Sequence, residues 1–251
     1  MRPWYETAFG RDYLALYPHR DDEEAARDVA AIVALVDPPR DEPLLDLGCG
    51  AGRHLIALAG AGFTRLVGLD LSEELLEVAR TRIEEAGVGP VDLVRGDMRA
   101  IPYADRFATA LSLFTSFGYF TRDEENAKVL RSVGEALRPG GWFLVDTLSR
   151  DATIADLVPE EELRRGDTTI RIRRAISDDG LRVDKETRVV GGGSTEQRIY
   201  RESVRMYAPE ELIGMFRQAG FSELRTHGSL RGEPHGAGSR RLVVVGRRPI
   251  R

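Results

Sequence analysis

The run Leu44-Leu45-Asp46-Leu47 leads directly into Gly48-Cys49-Gly50-Ala51-Gly52, and this junction constrains the fold more than any other part of the chain. A short apolar run that ends in glycines reads as a buried parallel strand. Glycines let the backbone turn sharply and approach a ligand closely. A helix is predicted next, from about Arg53 to Ala61. Its free N–H groups make a seat for a nucleotide-like ligand or its carboxylate. Open α/β sheets bind ligands at just this place, the carboxyl end of a strand.

The segments that follow repeat the pattern. Leu66 to Leu69 and Val91 to Val94 read as further strands, with a helix from Ser72 to about Gly87 between them. Ala108 to Phe114 is a fourth strand and Asp123 to Leu137 a helix. Arg138-Pro139-Gly140-Gly141 is a helix stop and turn, and Trp142 to Val145 a fifth strand. Such alternation means a parallel sheet with helices on both faces. Upstream, residues 1–42 read as a helical cap. Trp4, Phe9, Tyr13, Leu14 and Tyr17 recur at near-helical spacing until Pro18, and a second helix starts at Asp21-Asp22 and stops before Pro38.

Residues 168–207 break the alternation. Ile170 to Arg173 alternates apolar with charged, Asp178-Asp179-Gly180 is a hairpin signal, Gly191 to Gly193 is a flexible joint, and Arg198 to Tyr207 is extended. This is an antiparallel insert beside the main sheet. Pro209 opens a helix that Gly220 ends, and Ser222 to Thr226 and Leu242 to Val245 are the last strands. The expected organisation is a cap over 1–42, a core over 43–150, the insert over 151–207 and completion of the core sheet over 208–251.

Composition excludes several classes. With 251 residues, 42 % hydrophobic and 31 % charged, the chain is an ordinary globular mix. A single Cys excludes a disulfide framework and a Cys-based zinc site, and the four His are scattered, so no metal is expected. No apolar run reaches the roughly 18 residues of a membrane span. The N-terminus lacks the apolar core of a signal peptide, so a cytoplasmic location is expected. A net charge of −5 is not the usual footprint of a nucleic-acid binder. The charge is uneven: from Asp151 onward 19 Lys and Arg face 16 Asp and Glu, and the acidic excess lies before it.

The glycine loop departs from a dinucleotide fingerprint, whose third glycine would fall at Arg53. Two carboxylates sharpen the reading. Asp70 ends the second strand, 22 residues beyond Gly48, where an acidic side chain accepts from both hydroxyls of a ribose. Asp97 follows the third strand and is placed to accept from an adenine amino group. Three such groups at successive strand ends converge on one ligand.

On Leu44–Gly52, Val67–Asp70, Gly96-Asp97-Met98, Leu113–Tyr119 and Leu137–Gly141, the chain resembles class I S-adenosylmethionine-dependent methyltransferases. The resemblance implies a Rossmann-like, seven-stranded, mostly parallel sheet with the last strand antiparallel. It is similar to the bacterial branch with an N-terminal helical cap and a small β insert. It implies S-adenosyl-L-methionine as cofactor and S-adenosyl-L-homocysteine as product. Gly48, Cys49, Gly50 and Gly52 would hold the methionine part, and Asp46 would reach its ammonium. Asp70 and Leu71 would hold the ribose, Asp97 and Met98 the adenine, and the Leu113 carbonyl would lie near the ammonium. Cys49 also reads simply as a small side chain under the cofactor.

A sulfonium is already a good leaving group, so such an enzyme mainly aligns a nucleophile in line with the methyl. A base is needed only if the nucleophile must lose a proton. Tyr119 and His19 are the base candidates. Tyr13, Tyr17 and Arg20 of the cap, Ser116 and Phe117 after the fourth strand, Arg201 and Tyr207 of the insert, and His235 are candidates for the acceptor side. Each has a plainer reading: core packing for the aromatic residues, a solvated strand face for the arginines, a helix-start partner for His19.

The expected function is methyl transfer to an N or O nucleophile of a small molecule. The alternatives are RNA or protein methylation, non-catalytic cofactor binding, and a nicotinamide-dependent oxidoreductase, which Arg53 disfavours. Phe114-Thr115-Ser116-Phe117 stands where nucleic-acid amino-methylating enzymes carry an Asn/Asp-Pro-Pro-Tyr type segment. No membrane partner is expected, and the oligomeric state is left open, with a homodimer as one option.

Overall fold

A computed structural model describes residues 3–10, 14, 16, 21–191 and 194–250, with only the backbone described at 194–196. Seven strands form one sheet in the order β10-β11-β5-β4-β1-β2-β3. These are β1 (Leu44–Leu47), β2 (Leu66–Asp70), β3 (Val91–Arg95), β4 (Phe107–Ser112), β5 (Leu137–Leu148), β10 (Ser222–His227) and β11 (Arg241–Arg247). β1 to β5 pair in parallel, while β11 runs antiparallel between β5 and β10. The chain order reverses at β1, between β2 and β4, which is where a doubly wound sheet opens a crevice.

Alternation along the strands sends side chains to two cores. Leu45, Leu47, Val67, Leu69 and Val145 pack with α4 (Asp123–Ala136) and α6 (Pro209–Gln218) on one face. Leu44, Leu66, Leu111 and Leu144 pack with α1 (Asp22–Val36), α2 (Arg53–Gly60) and α3 (Glu73–Ala86) on the other. Each fully buried Leu contributes about 2 kcal/mol, which is what allows β1 to carry a buried Asp46 among three leucines. The helix starts follow their capping chemistry: the Asp21 side chain accepts from Glu24 N at 2.8 Å, and Ser72 Oγ accepts from Leu75 N at 3.2 Å.

The insert is a separate four-stranded antiparallel sheet, β6 (Glu160–Arg165), β7 (Thr168–Ile176), β8 (Arg182–Gly191) and β9 (Ser194–Arg205). Its first strand escaped the sequence reading because Leu163 is the only apolar side chain in it. A short helix, α5 (Arg150–Ala155), precedes it.

Three other elements differ from expectation. β4 stops at Ser112 because Phe114 and Thr115 adopt positive φ, 56° and 67°. β5 begins at Leu137, five residues early, because the Pro-Gly-Gly turn is absorbed as an irregularity in its pairing with β4. Among the described residues of the N-terminal segment, Leu14 and Leu16 are helical, but Trp4–Glu6 forms a 3-10 turn rather than the start of a helix. There the aromatic side chains pack on one another and on the loop after β4, and this tertiary packing overrides helical spacing. Tyr13, Tyr17, His19 and Arg20 lie outside the described residues.

Candidate active site

A cavity of about 340 Å³ opens over the carboxyl ends of β1, β2, β3 and β4, a size typical of small-molecule sites. Its floor is the glycine loop. Gly48, Gly50 and Gly52 have φ of 77°, 53° and 78°. At Gly48 a side chain would be strained, and a Cβ would also lie 2.9 Å from the Ser116 Cβ. The loop is tied to β2: Gly48 N and Cys49 N donate to the Leu69 carbonyl at 2.8 and 3.2 Å.

Asp70 organises one wall. Its Oδ2 accepts from Gly50 N at 2.8 Å and its Oδ1 from Ser72 N at 2.9 Å. Burial raises its pKa, and the backbone donors of Ser72, Gly50 and Leu71 work against that rise. Ser72 Oγ donates to the Phe9 carbonyl at 2.7 Å, which brings the N-terminal segment over the cavity. The lining residues Tyr5 and Phe9 come from that segment.

Asp46 is the most unusual group. It is 2 % exposed, and burial pushes its pKa up to about 6, against the pull of His54 and Arg53. Among the described residues its Oδ2 has no hydrogen-bond partner. A second buried polar atom without a partner is Arg53 Nη2, on a residue that lines the same cavity. The other arm of Arg53 is held by Glu24 of α1, and its guanidinium lies 4.7 Å from the Phe114 ring centre. His54, also lining the cavity, meets Asp28 of α1 at 3.2 Å. Isolated buried polar atoms are costly, and these two, a carboxylate oxygen and a guanidinium nitrogen, belong to residues that line one cavity.

The remaining sequence candidates divide. Cys49, Leu71, Asp97, Met98, Leu113, Ser116 and Tyr119 all line the cavity. Burial drives the Cys49 thiol well above its ordinary pKa, as suits an inert small side chain. Asp97 has a partner the sequence did not signal: Arg99 donates from Nη2 at 2.6 Å and from its backbone N at 2.8 Å. Burial works to raise the Asp97 carboxyl, but the Arg99 bonds and charge hold it below the usual range. The Leu113 carbonyl already accepts from Ser116 Oγ at 2.9 Å. Tyr119 stands in an aromatic cluster, 4.9 Å from the Trp4 ring and 5.5 Å from the Phe9 ring.

Four acceptor-side candidates lie elsewhere. Phe117 is 1 % exposed and packs in the core against Tyr207, 5.7 Å between ring centres. Tyr207 is equally buried and donates to Asp123 Oδ1 at 3.0 Å. Burial raises its pKa, and the Asp123 charge adds to the effect. Arg201 is exposed on β9 and pairs with Glu186 at 2.9 Å. His235 Nε2 meets Ser149 Oγ at 3.2 Å. Burial of large rings and pairing of strand-face charges explain these placements.

Sequence reasoning missed Arg53 and His54 as cavity residues. The only signal was Arg53 standing where a glycine was sought.

Comparisons with known proteins bear on the family and the fold. A family model described as a methyltransferase domain matches residues 44–141. The dTDP-3-amino-3,4,6-trideoxy-alpha-D-glucopyranose N,N-dimethyltransferase of Streptomyces venezuelae is 31 % identical over 244 residues, covering 93 % of this chain and 97 % of that protein. The cypemycin N-terminal methyltransferase of a Streptomyces species is 28 % identical, covering 86 % and 88 %. Among solved structures, DesVI of Streptomyces venezuelae has 26 % identity and a TM-score of 0.68, covering 93 % and 95 %. The CcbJ methyltransferase of Streptomyces caelestis has 22 % identity and a TM-score of 0.81, covering 97 % and 99 %, a likeness of fold.

Proposed function

Since this chain belongs to the class I S-adenosylmethionine-dependent methyltransferases, we propose that it methylates the amine nitrogen of a small polar molecule, with a nucleotide-linked amino sugar as the leading acceptor class. The observation that carries the cofactor half is the pair of buried atoms without a hydrogen-bond partner, Asp46 Oδ2 and Arg53 Nη2. They suit the ammonium and the carboxylate of a methionine moiety. Asp70 would hold the ribose and Met98 and Asp97 the adenine. Bound there, S-adenosylmethionine supplies an electrophilic methyl on a sulfonium.

The protein's own residues then have three tasks. The glycine loop and Asp46 orient the cofactor's amino-acid end. Tyr5, Phe9, Tyr119 and Phe120 wall the opposite side with aromatic faces, which exclude water and favour a cationic or amino group. Alignment of the nucleophile with the methyl carries most of the rate. An amine attacks as its free base, so Tyr119 serves to position it and needs to remove no proton ahead of attack. The near-full-length likeness to an amino-sugar N,N-dimethyltransferase supports the nitrogen reading.

The test is transfer of a labelled methyl from S-adenosylmethionine to a panel: a dTDP-linked 3-amino sugar, a free amino sugar, a phenol, a quinol and a peptide with a free N-terminus. Label on an amino-sugar nitrogen is expected. Label only on the phenol or quinol overturns the nitrogen reading, and label only on the peptide overturns the small-molecule reading.

A further inference from the structure

Methyl transfer as described uses the cavity walls but leaves the four-stranded sheet without a task. Arg182 joins that sheet to the site. Arg182, the first residue of β8, lies on the sheet's side of the loop that follows β4. Its Nη1 donates to the Phe120 carbonyl at 3.0 Å, and its Nη2 reaches the Tyr119 carbonyl at 3.4 Å and the Gly118 carbonyl at 3.5 Å. The guanidinium is held from behind: Nε donates to Ser203 Oγ at 2.9 Å, and Nη2 also donates to the Ser203 carbonyl. Three successive carbonyls thus converge on one planar fork anchored to β9.

The contact is reinforced beside it. Arg205 N donates to the Gly118 carbonyl at 2.8 Å. Gly118 has a φ of 97°, and a Cβ there would lie 2.6 Å from the Arg205 carbonyl oxygen, so the loop and β9 meet with no room for a side chain. The side chains of the two residues that follow, Tyr119 and Phe120, line the cavity on the far side of the same backbone. Tyr119 stacks on Phe9 and meets Trp4 edge-on, and Phe120 meets Tyr5 edge-on, 5.2 Å between ring centres.

We propose that Arg182 is a positioning residue: by gripping the carbonyls of Gly118, Tyr119 and Phe120 it sets the aromatic wall against which the methyl acceptor is aligned, and so makes the four-stranded sheet the determinant of acceptor fit. The chemistry requires arginine, because a lysine is a compact point charge and cannot fork across several carbonyls in one plane. The contact touches no residue of the glycine loop, so its loss falls more heavily on acceptor fit than on cofactor affinity. Only the kinetic part of the test below rests on the amine-acceptor reading.

The experiment compares Arg182→Ala, Arg182→Lys and Gly118→Ala with the unaltered chain, all in a Trp142→Phe background so that Trp4 is the single tryptophan. S-adenosylhomocysteine binding is measured by calorimetry, Trp4 exposure by acrylamide quenching, and acceptor kinetics with the dTDP-linked 3-amino sugar. Arg182→Ala and Gly118→Ala should leave S-adenosylhomocysteine Kd within about twofold, because the grip falls on the carbonyls of Gly118, Tyr119 and Phe120 and on none of the glycine loop, while acceptor KM rises about tenfold, more than kcat falls. Trp4 quenching should rise in both, and Arg182→Lys should restore part of it. Unchanged quenching with unchanged KM overturns the proposal, as does a cofactor Kd that weakens in step with KM. If Arg182→Ala does not fold, Arg182→Lys and Gly118→Ala decide by the same readouts. If the amino sugar is not a substrate of the unaltered enzyme, the acceptor reading fails, while Trp4 quenching against cofactor Kd still decides the role of Arg182.

Discussion

Asp146 on β5 and Arg241 on β11 form a two-pronged ion pair, Nε to Oδ1 and Nη2 to Oδ2, both at 2.7 Å. The pair holds more than two strands together. Asp146 Oδ2 also accepts from Phe114 N at 3.0 Å, its carbonyl accepts from Thr115 N at 3.0 Å, and Arg241 Nη1 donates to Thr115 Oγ1 at 2.9 Å. Phe114 and Thr115 are the two positive-φ residues that end β4 beside the cavity. Backbone of that kind persists only where its surroundings over-determine it.

Removing one partner should therefore cost far more than removing both. Arg241→Met leaves a buried carboxylate uncompensated and should destabilise the protein by about 3 kcal/mol, while Asp146→Asn with Arg241→Met should cost clearly less. Urea unfolding of the single and double variants measures the difference. Equal losses would show that the pair does not act as a unit.

Asp46 gives a pH dependence of defined sign. Its folded pKa of about 6 lies above the ordinary value of 3.8, and burial is the main cause. The folded state holds this proton more tightly, so the stabilising contribution is full below about pH 4 and is lost as pH rises through 6, to a total of about 3 kcal/mol. Asp46→Asn should raise the melting temperature of the ligand-free protein at pH 8 and leave it nearly unchanged at pH 4. The same substitution should weaken S-adenosylmethionine binding at pH 8, since the open carboxylate oxygen is lost. For the unaltered protein, cofactor affinity should fall as pH drops below 6.

Arg53 can be separated from the rest of the cofactor site by choice of ligand. Arg53→Met should raise the Kd of S-adenosylhomocysteine about tenfold, in line with loss of one charged hydrogen bond. Methylthioadenosine, which lacks the amino-acid end, should bind the variant and the unaltered protein alike. Parallel loss for both ligands would remove the carboxylate assignment.

Asp70 tests the adenosine side. Its two oxygens brace the Gly50 and Ser72 amides, so Asp70→Ala should loosen the loop and, on the proposed assignment, remove the ribose acceptor. A rise of at least about tenfold in Kd is expected for S-adenosylhomocysteine and for methylthioadenosine together, by calorimetry. An unchanged Kd for methylthioadenosine would refute the ribose role.

Much of the cavity floor was legible from local pattern. Buried strands announce themselves as apolar runs, and Asp46, Asp70 and Asp97 stand at their ends at spacings set by strand and helix lengths. What was not legible depends on partners far along the chain. Arg53 and His54 turn into the cavity because α1 supplies Glu24 and Asp28 to hold them. Tyr207 and Phe117 looked like substrate contacts but are drawn into the core, where Asp123 satisfies the Tyr207 hydroxyl. The pairing of Asp146 with Arg241 depends on the register of an antiparallel strand 95 residues away, which no periodicity encodes. The charge-dense β6 is stabilised by pairing with β7 and shows almost no apolar signal of its own.

The reversal of β11 has a consequence for how the molecule is made. Because this strand runs against its neighbour, its first residue, Arg241, arrives at the carboxyl end of β5. A nascent chain that has emerged only as far as β10 already contains every cavity-lining residue, yet lacks the cation that fixes Phe114 and Thr115. Assembly of the cavity is thus completed by the seventh strand of its own sheet, and a chain interrupted before Arg241 would carry every cavity-lining residue without the lock on the loop after β4.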